Sequence, residues 1–220
     1  MASFEQIGKL TPDLTGRPDI PLPAIDARTH ALRAFAAFIA ALKYTRAGAV
    51  GGKDIQFKIA AKNVHIEQPD NVKDLKFPSV VFLPGRGVYE PYGLGPAELL
   101  DDSYNVFAPE TALMALSEYE ETITLEIWGS KKGERRAVIA GLEVVLPSSE
   151  DTWPLRLRLP SYYNTPATFS LEERMNIDDA DAVRNRRRGH LYVNVSVCVV
   201  RLVNVNTLRP YVAVDSNDPM

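Results

Sequence analysis

The chain has 220 residues, 45% of them hydrophobic, and a formal net charge of −3. This composition excludes wholesale disorder, and the charge excludes a global electrostatic drive toward nucleic acid or anionic lipid. No apolar run approaches ~18 residues, so no membrane-spanning helix is expected.

Residues 1–28 carry Pro12, Pro18, Pro21 and Pro23 among polar residues. Proline fixes φ and removes a donor, so this segment reads as an extended N-terminal arm. Its start lacks the basic residues and apolar core of a secretory signal, and none is expected. A helix is predicted over 29–46, where Leu32, Phe35, Ile39 and Leu42 recur at helical spacing and Phe38 widens the stripe. Asp26 or Thr29 can cap it and Gly48 can stop it; His30 in its first turn reads as a surface residue. Over 54–66, Ile55, Phe57 and Ile59, then Val64 and Ile66, alternate with polar residues and predict a strand pair or one bulged strand. His65 there reads as filler.

A short apolar strand, FPSVVFL, is predicted at 77–83. A proline- and glycine-rich loop then runs over 84–110, and loops of that length inside a domain are commonly functional or docked to a partner. Tyr89, Tyr92, Tyr104 and Phe107 give it the aromatic content of a contact surface, the three tyrosines being the candidates for partner contact. A helical turn is expected at 111–117 and a strand at 119–129, where Ile123, Leu125 and Ile127 share one face. A second helix is predicted over 131–146, with Val138, Leu142, Val145 and Leu146 as its stripe and Pro147 at its end. LRLRL at 155–159 alternates with Arg156 and Arg158 outward; 161–181 reads as irregular, then acidic. The longest element is 190–206, HLYVNVSVCVVRLVNVN, a strand of about 50 Å with valines on one face and Arg201 as the charge among them. Arg201 marks where the strand is expected to leave the core. Residues 209–220 form a C-terminal tail.

The chemistry-bearing residues are sparse. His30, His65 and His190 lie far apart and the one cysteine, Cys198, has no pair, so neither metal spacing nor an internal disulfide exists; Cys198 is expected as a buried thiol in a reducing compartment. Gly-x-Ser-x-Gly, His-Glu-x-x-His, dinucleotide and Walker patterns are absent, and Gly85-x-Gly87 lacks the Lys-Ser/Thr pair of a phosphate loop. Glu118, Glu120 and Glu121 at the start of a strand read as solvated acids. Asn194-Val195-Ser196 matches a glycosylation sequon by chance, in mid-strand. Arg184, Arg186, Arg187 and Arg188 form the one basic cluster with a mechanism. Guanidinium groups neutralise phosphates, or pair with acids such as Asp178, Asp179 and Asp181 in the same or a neighbouring subunit. No catalytic residue, cofactor or metal is expected.

The order of elements carries a resemblance. An amphipathic helix leads to Phe77-Pro78-Ser79-Val80. After the loop come the strand from Glu120 to Trp128, a helix over 134–146, 155–159, and a closing strand of alternating valines. This resembles the tail-terminator and head-to-tail joining (neck) proteins of tailed bacteriophages over 77–83 and 119–205, and the 162–211 stretch is similar to other phage virion proteins. The 84–110 segment and the arm exceed the compact family pattern. The resemblance implies a small protein whose mixed or antiparallel sheet is covered by helices. It implies a ring, commonly a hexamer, that caps the tail tube, and partners among tail tube, sheath and connector proteins, with lumen DNA as a contact lacking sequence specificity. It implies a virion protein, assembled in the host cytoplasm.

The expected architecture is therefore α+β: a twisted, mostly antiparallel sheet of about five or six strands, two amphipathic helices on one face, and extended arms. One domain is expected over 29–208, with the 84–110 loop inserted. The rival readings are a collar, capsid decoration or baseplate component, a soluble enzyme with its pocket in the 84–110 loop, and a basic nucleic-acid-binding module.

Overall fold

The structure, a computed structural model, describes residues 26–48, 52–69, 75–91, 111–148, 153–181 and 186–204. In chain order these form α1 (Ala27–Ala41), β1 (Tyr44–Arg46), β2 (Ile55–Phe57), a 3-10 turn (Ala61–Asn63), β3 (Val64–His65), β4 (Ser79–Leu83) and β5 (Gly87–Pro91). They continue as β6 (Thr111–Gly129), α2 (Lys132–Val145), β7 (Leu155–Leu159), β8 (Thr165–Asp181) and β9 (Arg186–Asn204).

The architecture is α+β, with two helices packed on a curled, mixed sheet. Strand order is β3-β4-β6-β9-β8-β7, and β5 lies beside β6 next along from β4. The sheet counts seven strands among the described residues; the two-residue β3 pairs with β4 in parallel, and the other neighbouring strands pair antiparallel. Three long strands, β6, β9 and β8, form its spine. At 19 residues, β9 extends about 60 Å.

Alternation decides which face is buried. Ile123, Leu125 and Ile127 of β6 stand opposite Val193, Leu191 and Gly189 of β9. With Ala167 and Phe169 of β8 and Val80 and Phe82 of β4, they form the floor of the core. Leu32, Phe35 and Ile39 of α1 and Val138, Ile139 and Leu142 of α2 cover it. The Phe35 ring stacks on Phe169 at 4.4 Å and tilts against Phe82 at 5.7 Å, each such pair adding about 1 kcal/mol beyond its area. Asp26 caps α1, its carboxylate accepting the Thr29 amide at 2.7 Å.

Several elements differ from the sequence expectation. Helix α1 stops at Ala41, and Tyr44–Arg46 pairs with Ile55–Phe57 in a separate two-stranded ribbon. The Tyr44 hydroxyl donates to the Ile39 carbonyl at 2.9 Å, satisfying an acceptor in the last helical turn. The expected pair within 54–66 is split, since β2 and β3 belong to different sheets. Residues 111–117 are not a helical turn but the first part of β6, and Gly87–Pro91 of the expected loop is strand β5. The irregular, acidic 161–181 stretch is mostly strand β8. The basic run does not precede β9; Arg186, Arg187 and Arg188 are its first residues. Most of the arm, 1–25, the 92–110 part of the loop with Tyr92 and Tyr104, Arg184, the tail, and the side chain of Arg201 lie outside the described residues. Among the described residues no helix is long and apolar enough to cross a membrane.

Candidate functional site

Register places a polar groove on the sheet face opposite the helices. Even-numbered residues of β6 point there: Glu118, Glu120 and Thr122, with Asn194 and Ser196 of β9 beside them. Arg86, Val88 and Glu90 wall one side, and Thr168, Ser170 and Glu172 of β8 wall the other, around a volume of about 550 Å³. One row across four strands reads Val88, Glu120, Ser196, Thr168. The Thr122 hydroxyl donates to Asn194 Oδ1 at 2.6 Å, and the Ser196 hydroxyl donates to the Glu118 carboxylate. Burial, then the neighbouring Glu118 and Glu90 charges, push the Glu120 carboxyl above the usual range. Carboxylates and hydroxyls without a histidine, cysteine or lysine in the lining suit recognition of an ammonium or guanidinium group. Among the described residues no cluster of three or more His, Cys, Asp or Glu could hold a metal ion.

Glu121 departs from the expectation of a solvated acid. At an odd position, it shares the helix-covered face with Ile123 and is 4% exposed. Its carboxylate accepts Arg28 Nε at 2.5 Å and Nη2 at 3.0 Å, the Gly85 amide at 2.8 Å, and the Tyr119 hydroxyl at 2.9 Å. Burial alone pushes this carboxyl up, but the hydrogen bonds from Arg28, Gly85 and Tyr119 outweigh it and hold it below the usual range. The Arg28 guanidinium is raised in turn by its bond to Glu121, and burial pushes the Tyr119 phenol up to about 12. The cluster ties α1, the β4–β5 junction and β6 together. Gly85 is required at that junction: a Cβ there would lie 1.9 Å from the Thr122 carbonyl oxygen. Gly85 thus serves a carboxylate of its own chain, where a Gly-x-Gly pair was weighed for phosphate.

Beside this cluster, Arg28, Tyr89, Tyr119 and Tyr162 line a pocket of about 200 Å³. Tyr89 is 62% exposed on β5, its ring 4.8 Å from that of Tyr119. The Tyr162 hydroxyl accepts the Val200 amide at 3.1 Å. His30, expected at the surface, is buried: Nδ1 lies 2.8 Å from the Ser161 hydroxyl and its ring tilts on Tyr162 at 5.3 Å. Cys198, expected buried, is half-buried on the polar face, in register with Glu118.

Arg188 of the basic run sits at the far end of the same face. Arg186 and Arg188 are in register with Asp181 and Asp179, and Arg187 with Ala180. Arg188 Nη1 lies 3.2 Å from Glu126 Oε1, and its guanidinium sits over the Trp128 ring at 5.9 Å. The same Glu126 oxygen is 3.2 Å from His190 Nε2, and Trp128 Nε1 donates to the other carboxylate oxygen at 3.3 Å. Sequence reasoning missed Glu126 and Trp128 as partners of the run. Both lie on the strand face whose even positions pair with Arg188 and His190, a relation that only the register supplies.

Compared with known proteins, the chain matches no family model and no curated sequence.

Proposed function

We propose that this chain is a non-enzymatic structural subunit of a tailed-bacteriophage virion, forming a ring at the head–tail junction as a tail terminator or neck protein. The observation that carries this reading is the pair of sheet edges at the two sides of the long-stranded spine. Among the described residues, β5 pairs only with β6 and β7 pairs only with β8. Open edges invite pairing with another chain, and an assembly subunit uses that tendency where a monomer must suppress it. The element order that resembles phage tail terminators supplies the finer identity.

The mechanism is geometric. Repeated heterologous contacts close a ring, and one ring face halts tail-tube growth while the other meets connector proteins. Arg188 is held by Glu126, so contact with lumen DNA falls in this reading to Arg184, Arg186 and Arg187. Electron microscopy of the purified protein mixed with isolated tail tubes tests the reading. Rings seated at one end of the tubes are expected; tube ends that stay bare at saturating protein would overturn it.

A further inference from the structure

The edges at β5 and β7, open among the described residues, differ in charge and in exposed apolar surface. On the β5 side, Val88 and Tyr89 are 46% and 62% exposed, and exposed Glu90 stands beside Glu118 of β6. On the β7 side, Arg156 and Arg158 are exposed, and Trp153 just before the strand is 85% exposed. Among the described residues, Val88, Tyr89 and Trp153, all large, hydrophobic and exposed, therefore lie at these two edges, where a pairing strand would cover them.

The topology fixes how the edges can meet. From β5 through β6, β9 and β8 to β7, each neighbouring pair is antiparallel, so β5 and β7 run in the same direction. Val88 and Glu90 share the groove face with Glu120 and Glu118, and Arg156 shares it with Thr168. A second copy that continues the sheet thus brings the arginines of one edge and the glutamate of the other onto one face. Two β7 edges repel through their arginine pairs, whereas β7 set against β5 brings an arginine to Glu90. This disfavours a two-fold dimer through β7 and leaves that edge for a head-to-tail contact, the kind that closes rings.

We propose that copies of this chain join through parallel pairing of β7 of one with β5 of the next, making one continuous sheet from subunit to subunit. Arg158 sits beside Glu90 in the register that pairs the two five-residue strands over their full length. The inference rests on the ring reading and specifies its interface.

Native mass spectrometry and amide exchange on the purified full chain test it. The wild type is expected to assemble, with amides of residues 87–90 and of Leu155–Leu159 gaining protection in the assembly. Glu90→Arg alone, and Arg156→Glu with Arg158→Glu, are each expected to weaken assembly at least tenfold while circular dichroism stays native. The chain carrying all three reversals is expected to reassemble. Where a reversal impairs folding, Glu90→Gln and Arg156→Gln with Arg158→Gln serve in its place, and the exchange measurement needs no variant. An assembled wild type indifferent to the reversals, or unprotected at both strands, overturns the edge pairing and leaves the ring reading standing. A wild type that stays monomeric, alone and with tail tubes, overturns both.

Discussion

Removing the Arg28–Glu121 pair tests whether α1 is pinned to the sheet by charge as well as by its apolar stripe. Arg28→Met keeps the aliphatic stem and deletes the guanidinium. It leaves the Glu121 side chain, 1% exposed, with two of its four hydrogen bonds, from Gly85 and Tyr119. Breaking one partner of a buried pair costs about 3–5 kcal/mol, and the two retained donors place this variant at the low end, about 3 kcal/mol. For a chain of this size that is a fall of roughly 6–12 °C in Tm. Glu121→Leu strands a guanidinium whose side chain is 29% exposed and can hydrate, so its cost is smaller, about 2 kcal/mol. The double variant replaces both charges by apolar groups and is expected to cost less than the two single losses summed, with a coupling of about 2 kcal/mol or more. Urea denaturation followed by circular dichroism reads all three. An Arg28→Met variant within about 0.5 kcal/mol of wild type, or a coupling near zero, would refute the reasoning.

Gly85→Ala places a methyl group 1.9 Å from the Thr122 carbonyl oxygen and displaces the amide that binds Glu121, so a loss of about 3 kcal/mol or more is expected in the same denaturation assay. The pH dependence of Tm tests the depressed Glu121 carboxyl. Its folded value lies below the unfolded one, so its stabilisation is complete above the ordinary carboxylate range and is lost as pH falls through the folded value. Wild type is therefore expected to lose more Tm between neutral and strongly acidic pH than the Arg28→Met, Glu121→Leu double variant, and equal losses would contradict the assignment.

Where alternation was clean, the chain's elements were readable before any coordinates. Ile123-x-Leu125-x-Ile127 and the valines from Val193 to Val197 are buried on one face, and Leu32, Phe35 and Ile39 do face them. Legibility failed where the pairing is irregular. The register shift between Ala115 and Ser117 puts Leu116 out of step, and a period-2 reading of 111–117 cannot survive that extra residue. Shifts between Leu171 and Glu173 and between Met175 and Asp179 hide β8 in the same way. In β5, flanking glycines and prolines masked a strand whose partner, β6, lies thirty residues on.

The polar clusters were less legible than the core because they are made by long-range pairing. Arg28 and Glu121 are 93 residues apart, and neither position alone announces the other. One local signal did exist: Glu121 is an acid in phase with Ile123 and Leu125, and an acid in phase with a buried face needs a cation. Likewise Glu126 became the partner of Arg188 and His190 only when β6 and β9 were laid in register. Of the acids read as solvated, Glu120 is exposed and Glu118 half-buried, so that reading failed at Glu121 alone.

The central claim is assembly, and the mass of the purified full chain in solution, alone and with tail tubes, tests it most directly. The account predicts one closed species at a fixed multiple of the chain mass, six being the number implied by the resemblance, and its capture by tube ends. A strict monomer under both conditions that binds neither tubes nor capsids would contradict it.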